Sequence, residues 1–253
     1  PIAWIRINLF GDWTTGLMTV IVLAALLLVL PQFFSWAVFR AAWLPDYDAC
    51  RVDGVGACWG VVAEKYRIII FGRYPYEDQW RPLLATSAML AMLIGSCTRA
   101  FWKSWLLPAW VVVLAFFFLM MYGNVFGLEK VETDRWGGLP LTIMLSSLSM
   151  MMAFPIAMVV ALGRRSSLPA IRTVCTVYVE LIRGVPLISV LFIASFMFPL
   201  FMPVGMSIDV LIRVIVGITL FAAAYMAEVI RGGLQAIPKG QIEAAATLGL
   251  SYW

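Results

Sequence analysis

The sequence predicts an all-α protein, a polytopic helix bundle that lies in a membrane. Of its 253 residues 63% are hydrophobic, and the mean hydropathy is +0.94. Charged residues make up 13% of the chain, about half of their usual share in soluble globular domains. Apolar runs of about 20 residues recur along the chain, and each is long enough to cross a hydrocarbon core about 30 Å thick. These observations argue against a large water-soluble α-helical protein.

The apolar runs divide into six predicted membrane spans. Tryptophans flank several of them, as expected for amphipathic rings that prefer the headgroup layer. Prolines inside three of the runs should kink the helices or lie near their ends. Small residues concentrate in the fourth and sixth spans, where they would let helices approach closely in lipid. The predicted spans are 17–39, 82–98, 104–126, 138–162, 185–202 and 210–230.

The basic residues between the spans favour a cytoplasmic N-terminus. Arg164, Arg165 and Arg172 crowd one short loop, and cytoplasmic loops carry the excess of positive charge in membrane proteins. The long loop 40–81 would then face the opposite side. This loop is rich in aromatic residues, which disordered segments lack. Its segment 64–73 is either a short helix on the membrane surface or a lid over the bundle.

The residue types exclude some chemistry and leave one pairing open. The chain contains no histidine, and histidine is the commonest general base and metal ligand. We therefore expect no catalytic site and no metal site. Cys97 and Cys175 lie at predicted cytoplasmic ends of spans and are expected to be free thiols. Cys50 and Cys58 share the outer loop, so they form a disulfide if that loop faces an oxidising compartment, or they remain free.

Two similar segments place a glutamate and an arginine three residues apart at the predicted cytoplasmic ends of spans. Residues 180–184 read ELIRG and residues 228–232 read EVIRG. A Glu and an Arg at this spacing are neighbours on one helix face. They are either local ion pairs that ease charge into the interface, or the lining of a gate along a transport path. The candidate path residues are Glu180, Arg183, Tyr225 and Glu228.

A short helix is predicted over residues 240–248. Pro238 can precede a first helical turn because its missing N–H is no loss there, and alanine is the best helix former. Gly249 is well placed to end the helix. A helix of about nine residues is marginal alone in water, so it needs a docking partner; the alternative is a surface turn with none. Its narrow stripe of small side chains would suit a groove, and comprises Ile242, Ala245, Ala246 and Gly249.

This closing segment resembles the cytoplasmic EAA loop of ABC importer permeases. The matching pattern is Glu-Ala-Ala, three residues and a glycine, at Glu243, Ala244, Ala245 and Gly249. Three stretches look like the polar amino acid permeases of that class: GGLPLTIMLS at 137–146, YVELIRGVPLI at 178–188 and RGGLQAIPKGQIEAA at 231–245. Residues 56–82, GACWGVVAEKYRIIIFGRYPYEDQWRP, look like the extra N-terminal region of general L-amino acid permeases of Gram-negative bacteria.

The resemblance implies a type I ABC importer transmembrane domain in two parts. Residues 1–136 would form extra N-terminal spans with a periplasmic loop at 40–81, and residues 137–253 would form the core permease domain. Members of the family continue after the EAA loop, so we expect further spans in the natural protein. The EAA loop forms a coupling helix that inserts into a cleft of an ATPase subunit. The coupling residues it implies are Gly240, Glu243, Ala244, Ala245, Leu248 and Gly249.

The resemblance also implies a function: a permease subunit of an ATP-driven L-amino acid importer in the bacterial inner membrane, and not an enzyme. The expected partners are a second, homologous permease, a pair of ATPase subunits, a periplasmic amino acid-binding protein and membrane lipid, but no nucleic acid. This chain is expected to hold no cofactor. ATP and Mg would be bound by the ATPase, because the pattern G-x-x-x-x-G-K-S/T does not occur in the sequence. The alternative is another polytopic membrane protein, such as an intramembrane enzyme or a channel.

Overall fold

The fold is built from α-helices. The computed structural model describes residues 2–125, 127–203, 205–206 and 208–251. Within these residues the only β pairing is an isolated bridge between Ala42 and Cys58, which confirms the predicted all-α class. The helices are α1 (Ile2–Leu9), α2 (Trp13–Phe34), α3 (Trp59–Phe71), α4 (Trp80–Ser96), α5 (Leu106–Tyr122), α6 (Gly138–Gly163), α7 (Pro169–Arg183), α8 (Leu187–Phe192), α9 (Val210–Gln235) and α10 (Lys239–Thr247).

The chain forms two compact units, Pro1–Ile70 and Phe71–Trp253. The predicted boundary between residues 136 and 137 falls inside the second unit; it rests on the family resemblance and stays a prediction. In the first unit α1 packs on α2, and a π-helical turn, Ser35–Phe39, continues α2.

The loop that follows this turn is ordered by hydrogen bonds to the end of α2. The Ala57 N–H donates to the Trp36 carbonyl at 2.9 Å, and the Trp59 indole N–H donates to the Ala37 carbonyl at 2.7 Å. A disulfide joins Cys50 and Cys58, whose Cα atoms are 5.8 Å apart. The folded part of the loop is thus held both by backbone pairing and by a covalent link.

The centre of the second unit is the contact between α6 and α9. Small residues recur at four-residue intervals on one face of α6, and the side chains at this contact are fully buried. Because apolar side chains gain nothing by leaving lipid tails, helices in a membrane associate through close fit, which small residues allow. The fully buried alanines of this contact are Ala153, Ala157 and Ala161 on α6 and Ala223 and Ala227 on α9.

Helical segments occupy all six predicted positions, but they differ in length. Three are long and apolar enough to cross a membrane alone: Trp13–Phe39, Gly138–Gly163 and Val210–Gln235. Both α4 and α5 contain 17 residues. At about 1.5 Å per residue each is about 26 Å long, slightly less than a hydrocarbon core of about 30 Å.

The fifth predicted span, 185–202, differs most from the structure. Helix α7, which was not predicted, precedes it, and the chain bends by 100° between α7 and the helical segment Leu187–Phe201. Pro186 explains the bend, because a proline lacks the N–H that would continue a helix and disfavours helical geometry in the residue before it. The two segments together are long and apolar enough to cross a membrane as one span broken by the bend, in place of a single straight helix.

A π-helical turn in this broken span accommodates an arginine of the sixth span. Arg213 lies on α9, where burying a charge in the membrane is costly. Its guanidinium donates to the carbonyls of Ala194 at 2.9 Å and Ser195 at 2.6 Å. Both carbonyls belong to the π-helical turn Ile193–Met197. The guanidinium is therefore hydrogen-bonded to carbonyls that would accept intrahelical hydrogen bonds in a regular α-helix.

A fully buried arginine links α4 to the end of α5. Arg81 is fully buried, and it donates from Nε to the Met120 carbonyl at 2.8 Å and from Nη1 to the Glu129 carbonyl at 2.9 Å. Gly123 has a φ of +72°, and a side chain there would collide with the Arg81 guanidinium. Nothing in the local sequence pattern marks Arg81 as buried.

Candidate functional site

The predicted closing helix exists as α10, shifted by one residue to Lys239–Thr247. Gly249 has a φ of +72° and donates its N–H to the Ala246 carbonyl at 3.0 Å. The Leu250 N–H donates to the Ala245 carbonyl at 3.1 Å. This pair of hydrogen bonds is the Schellman motif, in which glycine takes the left-handed position that ends a helix. The prediction that Gly249 stops the helix is confirmed.

Helix α10 makes little contact with its own chain. None of its nine residues is buried; the apolar Ile242 is 51% exposed, and Leu248, which caps the helix, is 78% exposed. A helix this short gains too little from its own hydrogen bonds to persist alone in water. The exposure of α10 agrees with the prediction that this helix needs a docking partner.

One side of α10 borders a groove of about 640 Å³. From α6 the groove receives Met158 and Leu162, which lie on one helix face, and Arg165, which follows the end of the helix, also lines it. Three of the four stripe residues, Ile242, Ala245 and Ala246, line this groove, so the structure directs most of the stripe towards the permease's own helices. The other lining residues are Leu234, Ile237, Gln241, Leu250 and Ser251.

The remaining coupling candidates lie away from the groove. Gly240, Glu243, Ala244 and Leu248 are all exposed, and none of them lines the groove. Glu243, Ala244 and Leu248 follow Gly240 by three, four and eight residues, so the four positions lie along one side of a helix. Helix α10 thus has a groove side made by the small stripe and a free side that carries Glu243. We call the second set, Gly240, Glu243, Ala244 and Leu248, the outer face of α10.

The four candidate path residues come together where α7 meets α9. Arg183 Nη1 lies 3.9 Å from the Glu228 carboxylate, and the Arg183 guanidinium lies over the Tyr225 ring at 5.6 Å from its centre. Glu180 joins the same group through a fifth residue, Arg164. The structure therefore brings the predicted set together, although their role in transport stays a prediction.

Arg164, at the end of α6, connects the cluster and was missed as a site residue. Its Nη1 pairs with the Glu228 carboxylate, and its Nη2 lies 3.2 Å from Glu180 Oε1. Glu228 also accepts a hydrogen bond from Arg231 Nε at 3.1 Å. Sequence analysis used Arg164 only for the charge of a short loop, since the approach of three helices cannot be read from spacing. We call Arg164, Glu180, Arg183, Glu228 and Arg231 the inner polar cluster.

The local ion pair, one of the two interpretations of the repeated Glu–Arg segments, is present in one segment only. Glu228 and Arg231 do form the local pair expected three residues apart. The ion pairs described for Glu180 and Arg183 instead cross to other helices, to Arg164 and Glu228 respectively. Packing of α7 against α6 and α9 brings these opposite charges within reach. Helix-to-helix pairing, which sequence spacing does not show, therefore organises the cluster.

Comparison with known proteins places this architecture in a family. Residues 153–253 match the family described as the binding-protein-dependent transport system inner membrane component. The chain is 44% identical over 262 residues to the inner membrane amino-acid ABC transporter permease protein YhdY of Escherichia coli, covering 99% of this chain and 68% of that protein. The chain belongs to the amino-acid ABC transporter permeases.

One further relative agrees with this assignment in sequence. The permease is 30% identical to the glutamate/glutamine/aspartate/asparagine transport system permease protein BztC of Rhodobacter capsulatus, over 100% of this chain and 73% of that protein. A crystal structure of an amino acid ABC transporter with histidines is 33% identical, with a TM-score of 0.39, over 44% of this chain and 50% of that one.

Family membership settles the class of the protein. The permease is a multi-pass inner membrane component of a transport system with several components, and not an enzyme. The predicted function class and location are confirmed, and the alternatives of an intramembrane enzyme or a channel are wrong. The roles of individual residues in coupling and in the transport path stay predictions.

Proposed function

We propose that the permease carries L-amino acids into the cell while a partner ATPase hydrolyses ATP. The observation that supports this most directly is the exposed, glycine-capped helix α10 with Glu243 on its outer face. A short helix of this kind is stabilised when a partner packs against it. Two relatives, an amino-acid permease and a glutamate/glutamine/aspartate/asparagine permease, support the substrate class.

The proposed assembly contains a second, homologous permease, a pair of ATPase subunits and a periplasmic amino acid-binding protein. ATP and Mg would be held by the ATPase pair, because this sequence lacks the phosphate-binding pattern G-x-x-x-x-G-K-S/T. The outer face of α10 would dock on the ATPase, and Glu243 would supply the charged contact.

The inner polar cluster would form the inner gate of the transport path. It offers carboxylates and guanidinium groups to a substrate that carries both an ammonium and a carboxylate group. Arg183 is its most exposed arginine, at 36%, and stands 3.9 Å from Glu228. It is therefore the cationic group most available to a substrate carboxylate, with the Tyr225 ring beside it.

The coupling proposal is tested with Glu243→Ala in the assembled transporter. Removing one partner of a buried charge-assisted contact costs about 2–5 kcal/mol, so uptake should fall by more than about tenfold. The ATPase should dissociate or hydrolyse ATP without transport, while membrane insertion stays normal. The measurement is ATP-driven uptake in proteoliposomes, together with pull-down of the ATPase.

Gln241→Ala is the matched control, because it removes a polar side chain from the groove side of the same helix. It should keep the ATPase bound. Uptake and ATPase retention equal to wild type in Glu243→Ala would refute the coupling role of this residue.

The substrate class is tested separately with the wild-type transporter. A panel of labelled acidic, amide, basic and apolar L-amino acids is offered in the presence of the binding protein and ATP. Uptake of at least one, abolished without ATP, is expected. If the ATPase copurifies but no L-amino acid is taken up, the substrate proposal fails while the assembly stands.

A further inference from the structure

The inner polar cluster has one member that touches all three helices. Arg164 is a residue of the α6 terminus, and its guanidinium reaches Glu180 on α7 and Glu228 on α9. Its side chain is 10% exposed, the most buried of the cluster, whereas those of Glu228 and Glu180 are 24% and 61% exposed. Because a guanidinium is a planar fork with several donors, it can hold two carboxylates at once, which a lysine cannot do well.

The same end of α6 also borders α10. Arg165 follows Arg164 directly and lines the groove beside α10, together with Met158 and Leu162 of the same helix. Two adjacent residues therefore face two different features: Arg165 faces the groove and Arg164 faces the cluster. A movement of α10 that shifts the end of α6 would act on the two carboxylates through Arg164.

The contact between α6 and α7 is tight at this point. A Cβ added to Gly163 would come within 2.5 Å of Cys175 Sγ and 3.5 Å of Ile171 Cγ2. Glycine at 163 lets α7 approach the end of α6 closely enough for Glu180 to reach Arg164. The two helices meet there with little free space, so α6 cannot shift at this end without disturbing α7.

We propose that Arg164 is a positioning residue that locks α7 and α9 to the end of α6, and that this lock opens and recloses in each transport cycle. The inference rests on the proposed function, in which α10 receives the movement of the ATPase. Arg164 does not contact substrate; it acts by holding Glu180 and Glu228. Loss of the lock would let the path residues move independently of α10, so ATP would be hydrolysed without matching transport.

The test compares Arg164→Gln, Arg164→Lys and wild type in the assembled transporter in proteoliposomes, with L-glutamate and L-glutamine as probes. For Arg164→Gln, ATP hydrolysis without binding protein should rise about tenfold, the change expected from losing one charge pair of ordinary strength. The amount of amino acid taken up per ATP should fall. Arg164→Lys, which keeps the charge but not the fork, should be intermediate. Arg172→Gln, an exposed arginine of α7, is the control and should match wild type.

A purely structural role gives a different result. It would lower the amount of assembled transporter and reduce hydrolysis and uptake together, leaving the uptake per ATP unchanged, and that outcome would overturn the proposal. An equal amount of amino acid taken up per ATP in Arg164→Gln and Arg172→Gln would also overturn the proposal.

A readout without amino acid separates this proposal from the proposed function. Cys175 on α7 is packed against Gly163, so a maleimide should alkylate it slowly in a Cys97→Ser background, and adding Arg164→Gln should speed the alkylation several-fold because α7 is released. If wild type transports no amino acid but the alkylation rate depends on Arg164, the function fails and the lock remains. An alkylation rate that ignores Arg164 would overturn the lock.

Discussion

At the scale of the residue, the permease surrounds two arginines with backbone carbonyls. The fully buried Arg81 donates to the carbonyls of Met120 in α5 and of Glu129 after it, and the half-buried Arg213 donates to three carbonyls, two of them in a π-helical turn. Tyr74, beside Arg81, donates its hydroxyl to the Met121 carbonyl at 3.0 Å, and burial raises its pKa to about 12, although Arg81 partly opposes the shift. Tyr74 thus remains a neutral donor throughout the physiological pH range.

Arg81→Lys tests this arrangement. A lysine has one ammonium and cannot reach both carbonyls with the geometry of a guanidinium, so a buried acceptor loses its partner. The free energy of unfolding should fall by about 2–3 kcal/mol, measured as a lower midpoint of thermal unfolding in detergent. Arg99→Lys, at an exposed position, should leave the midpoint unchanged. Equal unfolding midpoints for both variants would show that the hydrogen bonds of Arg81 to the two carbonyls do not stabilise the fold.

Gly249→Ala tests the end of α10 through backbone conformation alone. An added Cβ meets nothing within 4 Å, but the φ of +72° is strained for a residue with a side chain. That strain is about 1–2 kcal/mol, so amide hydrogen exchange over the last turn of α10 should accelerate about tenfold. Gly233→Ala, which also has open space but no positive φ, is the control. Unchanged exchange at residues 245–250 would show that the left-handed turn does not hold the helix.

At the scale of the element, small side chains decide which helix faces meet. The buried alanines of α6 repeat every four residues and meet those of α9, whereas Val159 on the other side of α6 is 70% exposed. The small residues of the fourth and sixth spans predict the contact between α6 and α9 from the sequence. Helix α7 was not predicted, because its apolar residues fall on one side only and its charges resemble those of a loop.

Ala157→Leu tests the α6–α9 contact. Three extra carbons at a fully buried site should force the helices apart at a cost of about 1–3 kcal/mol, seen as a lower yield of folded protein and a lower thermal midpoint. Val159→Leu adds one carbon on the exposed face and should behave as wild type. If Ala157→Leu is also tolerated, the close contact between α6 and α9 does not stabilise the fold.

At the scale of the whole molecule, the untested prediction is the orientation in the membrane. The charge of the loop around residues 164–172 places it in the cytoplasm, and the loop 40–81 would then lie outside, where the disulfide between Cys50 and Cys58 is chemically stable. The side of the membrane on which each of these two loops lies can be measured independently.

Cysteine labelling tests the orientation. With Cys97 and Cys175 replaced by serine, an impermeant maleimide applied to intact spheroplasts should label Glu77→Cys at once. Ser167→Cys should react only after permeabilisation. Mass spectrometry of unreduced peptides should recover Cys50 and Cys58 as a bridged species. Labelling of Ser167→Cys in intact spheroplasts would reverse the predicted topology.

The sequence by itself determined the features that depend on neighbours along the chain. Hydropathy located the spans, because crossing a bilayer needs a continuous apolar run, and Pro238, the alanines and Gly249 defined α10, because caps and propensities act over a few residues. Only the tertiary structure decided which groups meet across helices. The ion pairs of Arg164 and the hydrogen bonds of the buried Arg81 depend on the approach of separate helices. Such contacts join residues that lie tens of positions apart, so no local spacing encodes them.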